Sequence, residues 1–145
     1  MSASPTFRAA KEKRLRFFAA SILLVAFSAS AYATPLLRCH VSYAGSTEII
    51  ETQPGKDPYT IESVNIGERF RFKAVMIGSG EKIDYIKLYT YFQARHKDIM
   101  IHQATYLPPF KASQEAIKLT PDNHLYASDV ERELQYHCTL QGVLP

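Results

Sequence analysis

The chain has 145 residues, 12% of them aromatic and none of them tryptophan, with two cysteines and 17 Lys and Arg against 14 Asp and Glu. A chain of this length suits one domain built on a single core. The basic excess is confined to residues 1–33, which hold five of the 17 cations and one of the 14 acids; the remaining 112 residues carry 12 cations and 13 acids, which removes the electrostatic case for nucleic-acid binding.

At the N-terminus Lys11, Lys13, Arg14 and Arg16 precede an apolar run, residues 17–27, that ends in Ser28-Ala29-Ser30-Ala31-Tyr32-Ala33. This is the form of a secretory signal peptide, with cleavage expected after Ala33. The apolar run is shorter than the roughly 20 residues that cross a bilayer core, so no membrane contact is expected after cleavage. The expected product is a single periplasmic or secreted domain, residues 34–145. In an oxidising compartment Cys39 and Cys138 are expected to form a disulfide joining the first strand to the last.

Residues 34–44 alternate Leu37, Cys39, Val41 and Tyr43 with Arg38, His40 and Ser42, which predicts a first strand with Cys39 on its buried face. Gly45-Ser46 marks a turn, and residues 47–52 predict a second strand hairpinned to the first. Two prolines and a glycine make residues 53–58 a loop, after which residues 59–66 predict a short third strand. Residues 68–106 predict a meander. In it Phe70, Phe72, Ala74 and Met76 alternate with Arg69, Arg71, Lys73 and Val75, and Gly78-Ser79-Gly80 forms a turn. Then Ile86, Leu88, Thr90 and Phe92 alternate with Tyr85, Lys87, Tyr89 and Tyr91, and residues 99–106 follow as a further strand. Leu107-Pro108-Pro109-Phe110 breaks the sheet, and residues 113–119 are too short to separate a helical turn from a strand. Residues 120–124 read as a loop, and the capping-box spacing of Ser128 and Glu131 predicts a brief helix at 129–132. Leu134, Tyr136, Cys138 and Leu140 alternate with Glu133, Gln135, His137 and Thr139 as the final strand.

About six to eight short strands, closely spaced turns and a disulfide between the first and last strands predict an all-β chain, a small antiparallel β-sandwich. Tyr136-His137-Cys138 resembles the Tyr-x-Cys of immunoglobulin domains. Few residues follow Cys138, however, and the tryptophan of those domains is absent, so the immunoglobulin-like expectation concerns layering and not membership.

No motif points to catalysis. Gly-x-Ser-x-Gly is absent, Asp122, His124 and Ser128 supply triad residue types only as neighbours in a polar stretch, and Glu131 and Glu133 read as a solvated edge. Bonded cysteines also exclude a thiol nucleophile. The expected function is non-catalytic binding to another exported envelope protein, without a cofactor. The expected surface comprises Tyr85, Tyr89 and Tyr91, facing outward around Lys87, together with His102 and Tyr106. The alternative is a copper- or zinc-binding protein that uses His40, His137 and His102, with His96 as a further ligand, because imidazole beside a thioether such as Met100 suits copper. If the disulfide joins neighbouring strands, His40 and His137 fall side by side on the opposite face. If it joins facing sheets, they are kept apart.

Overall fold

The structure, a computed structural model, describes residues 34–127 and 132–145. The leader expected at 1–33 and the capping pair Ser128 and Glu131 lie outside the described residues.

Among the described residues the chain forms β1 (Leu36–Tyr43), β2 (Ser46–Thr52), β3 (Val64–Ile66), β4 (Phe70–Ser79), β5 (Lys82–Gln93), β6 (Asp98–Tyr106), β7 (Ile117–Lys118), β8 (Asn123–Ala127) and β9 (Arg132–Gln141). One sheet runs β2-β1-β9-β7, with β8 also paired to β9; the other runs β3-β4-β5-β6. Every strand pairing is antiparallel. The two sheets pack face to face, so the predicted antiparallel β-sandwich is what forms.

The period-two alternation explains the layering. Leu37, Cys39 and Val41 of β1 and Leu134, Tyr136, Cys138 and Leu140 of β9 turn inward and are buried. They meet Phe70, Phe72, Ala74 and Met76 of β4 and Ile86 and Leu88 of β5 from the other sheet. Aromatic rings bridge the layers, with Phe72 against Tyr136 and Tyr43 edge-on to Phe70, each at 5.1 Å between centroids. Each fully buried large side chain contributes about 1.5–3 kcal/mol, so this interior stabilises the pairing of strands far apart in the chain.

The Cys39–Cys138 disulfide forms within one sheet, between neighbouring strands. The amide and carbonyl of Cys138 turn away from β1, toward Thr120 Oγ1 and the Leu119 amide. Cys39 and Cys138 are therefore a non-hydrogen-bonded pair, the closer of the two antiparallel spacings, and their Cα atoms are 4.0 Å apart. Such a bond is consistent with an oxidising compartment.

Three local expectations change. The third strand shrinks from 59–66 to Val64–Ile66, because Asp57 folds its own neighbourhood into a turn: its carboxylate accepts from the Tyr59 amide and its carbonyl accepts from Thr60 Oγ1. Residues 113–119 yield a strand only at Ile117–Lys118. The loop read at 120–124 ends early, since Asn123–Ala127 pairs along β9. Pro121, with no amide hydrogen, interrupts what would otherwise be one strand from β7 to β8. Two glycines are required by close approach: at Gly67 (φ 56°) a Cβ would meet the Tyr43 ring at 2.5 Å, and at Gly78 it would meet the Lys82 carbonyl oxygen at 2.0 Å.

The disulfide closes a loop of 99 positions, for which loop-closure entropy amounts to about 4–5 kcal/mol. Urea unfolding of the Cys39→Ala/Cys138→Ala double variant should show a loss of that order. A loss below about 1 kcal/mol would mean that the unfolded chain gains little freedom from breaking this link.

Candidate functional site

The outer face of the β3–β6 sheet is set by the β4–β5 register. Arg71 pairs with Tyr91, Lys73 with Tyr89, Val75 with Lys87 and Ile77 with Tyr85. This places Tyr85, Tyr89 and Tyr91 on one face, as alternation predicted. Tyr89 and Tyr91 stack at 6.4 Å, and Lys87 Nζ lies 5.4 Å over the Tyr85 ring. The segment after β2 then folds back along the β4 edge, where Gly55 exchanges backbone hydrogen bonds with Met76 and Gly78. Pro58 and Tyr59 come to line a groove of about 300 Å³ together with the tyrosine row, Lys73, Val75 and Lys87. Val75, on an outward-facing position, is buried there, whereas Tyr59 is 91% exposed. Burial raises the Tyr91 hydroxyl above its ordinary pKa, with Tyr89 and Asp98 adding to the effect. The cations of this face are unequally matched. Arg71 pairs with Asp98 at 3.1 Å, but among the described residues neither Lys73 nor Lys87 has a carboxylate partner. Pro58 and Tyr59 escape sequence reasoning because a loop bridging strands leaves no periodic signal, whereas Lys73, already on the alternating outward set of β4, joins the tyrosines through the β4–β5 register.

His102 and Tyr106 do not belong to that face. On β6 they sit opposite Thr90 and Ile86, which point between the sheets. His102 Nε2 and the Tyr136 hydroxyl share a hydrogen bond of 2.8 Å, beside a buried Thr90 Oγ1 that has no partner among the described residues. Tyr106 is partly buried against the core, and burial raises its pKa. Tyr136 is raised further, by burial first and by Tyr106 second. The expected five-residue surface is thus divided by the pleat, three tyrosines outward and His102 and Tyr106 inward.

The outer face of the other sheet gathers histidines. Because Cys39 and Cys138 point inward as a cross-strand pair, the next pair, His40 and His137, points outward. Their rings stack at 4.9 Å and 11°. His124, one strand over, pairs with Gln135 and so shares this face. Its Nδ1 donates to Glu133 Oε1. Asp122, anchored by Lys118 at 2.8 Å, places Oδ1 3.6 Å from His137 Nδ1. The Lys118 hydrogen bond is the chief reason the Asp122 carboxyl lies below its ordinary pKa, and the His124 bond does the same for Glu133. His40, His124, His137 and Asp122 line a cleft of about 350 Å³. His102 is on the far side of this sheet, and His96 is exposed in the β5–β6 turn. Among the described residues no three imidazole, carboxylate or thiolate groups converge on one point in this conformation. The triad types do not assemble either: His124 is engaged by Glu133 instead of Asp122, and Ser128 lies outside the described residues.

Burial holds the His102 pKa below its ordinary 6.5, so its neutral form is the stabilising one. That contribution is complete above the unfolded value near 6.5 and is lost as pH falls through the lower folded value. Urea unfolding followed from about pH 7.5 to 5 should show a steeper acid loss for the wild type than for His102→Gln. Equal slopes would place His102 in water. Tyr136→Phe, which strips the hydrogen-bond partner, should cost about 1–3 kcal/mol at neutral pH by the same measurement. Compared with protein-family models, with curated proteins and with solved structures, the chain matches none, so its functional reading rests on this geometry.

Proposed function

We propose that this protein is a non-catalytic binding domain of the cell envelope, exported to the periplasm or beyond, that engages another exported protein through the groove on the outer face of its β3–β6 sheet. The observation that carries this reading is the tyrosine row with Tyr59 and two lysines that have no carboxylate partner among the described residues, all around one groove. Tyrosine offers rigid apolar area with a polar tip at low entropic cost, which is why it recurs at interface centres. Lys73 and Lys87 on that floor favour an extended segment carrying Asp or Glu, because a carboxylate there gains a cation that no side chain of the described residues already neutralises. The groove's outward residues hold no part of the sandwich interior, so they are free to serve recognition. Cross-strand packing of tyrosines accounts for the row by itself, but not for a 91% exposed Tyr59 beside it.

The test is photocrosslinking in the producing cell from a benzoyl-phenylalanine at position 89, with position 124 on the opposite face as control. A discrete exported partner crosslinked only from position 89 is the expected result. With that partner purified, Tyr89→Ala/Tyr91→Ala should weaken binding by roughly 30-fold or more, the scale of an interface hot spot. Lys73→Glu should weaken it further at low salt than at high salt. If the tyrosine variants lose stability as core variants do, while the partner stays bound, the reading is wrong.

A further inference from the structure

The histidines of the other sheet support an inference independent of the tyrosine groove. We propose that His40 and His137 form a surface site for one divalent first-row transition ion, Cu(II) in preference to Zn(II), with Asp122 positioning His137.

The pairing is built by the backbone. A covalent bond between Cys39 and Cys138 holds the neighbouring His40 and His137 in register, so the two imidazoles are adjacent in every molecule that carries the disulfide. Their separation also fits a shared ion. With metal–nitrogen bonds of about 2.0 Å, two imidazoles on one ion at angles between 90° and tetrahedral have ring centroids roughly 4.5–5.1 Å apart. The observed separation is 4.9 Å. The rings are stacked within 11°, so their in-plane lone pairs run side by side. To share an ion they must tilt toward each other about the Cβ–Cγ bonds, and His137 is exposed enough, at 42%, to do so.

Carboxylates stand beside two of the imidazoles on this face. Metal-ligating histidines donate their other ring N–H to a carboxylate, which sets the tautomer and leaves the remaining nitrogen free. Asp122 Oδ1 stands 3.6 Å from His137 Nδ1, just outside hydrogen-bond distance, so the ring movement that meets the ion must also close this gap for Asp122 to hold Nδ1–H and leave Nε2 to the ion. His124, its Nδ1 given to Glu133, likewise keeps Nε2 free on the same face. Two imidazoles with water completing a square-planar set suit Cu(II), which also heads the affinity order of the divalent ions for nitrogen donors. Hard ions such as Mg²⁺ want oxygen ligands and find few here.

The experiment is titration of the purified chain, oxidised and free of any histidine tag, with CuSO₄, ZnSO₄ and MgSO₄, read by calorimetry and by copper electron paramagnetic resonance. Expected are one saturable Cu(II), weaker Zn(II), no Mg²⁺, and nitrogen hyperfine structure from two ligands. His40→Gln and His137→Gln should each weaken Cu(II) at least tenfold and leave a single nitrogen. His102→Gln should bind like the wild type. Asp122→Asn should weaken Cu(II) without changing the number of nitrogens or the metal-free melting temperature. Copper that binds equally well to the His40 and His137 variants, or fails to saturate at one ion per chain, overturns the proposal. Binding lost in His102→Gln, with the metal-free fold intact, overturns it as well.

Discussion

The antiparallel contact between β1 and β9, closed covalently at Cys39–Cys138, is the constraint on which the rest depends. These strands come from opposite ends of the domain, so their pairing brings together segments that loop entropy would otherwise keep apart. Once the bond fixes which residues face each other, the pleat decides the rest of both strands. Leu37, Val41, Tyr136 and Leu140 must face the other sheet, while His40, His137 and Gln135 must face outward. The same bond that stabilises the interior therefore builds the histidine face.

The two sheets present different chemistry to their surroundings. One offers tyrosine rings and lysines, the other imidazoles beside carboxylates. Both faces sit on strands anchored by the shared core, so neither depends on a mobile loop for its main elements. Tyr59 and Asp122 are the exceptions, and each is held by a local device: the Asp57 turn for the former and the Lys118 ion pair for the latter. Between the sheets His102, Tyr136 and Thr90 form a polar inclusion. Its hydrogen bond offsets the cost of placing an imidazole where water is scarce.

The division of His102 and Tyr106 from the tyrosine row shows where reasoning from local pattern stops. Alternation identifies two sets of residues on a strand such as β6, but not which set faces inward, and both sets there mix polar with apolar side chains. Register against β5 settles the matter, and a shift of one residue would exchange the faces. β8 was obscured for a related reason: its pattern is short, follows a proline, and gains its order from pairing with β9 and not from its own composition.

What the sequence by itself determined was the all-β character, the positions of the long strands and the identity of the bonded cysteines. These follow from side-chain alternation and from there being only one pair of thiols to join. Only the tertiary structure decided that the disulfide lies within a sheet, that His40 therefore stacks on His137, and that the loop at Pro58 and Tyr59 completes the tyrosine groove. Those outcomes depend on pairing register between segments whose bonded cysteines are 99 positions apart. Register is fixed by the joint packing of both sheets, a property that no single stretch of sequence contains.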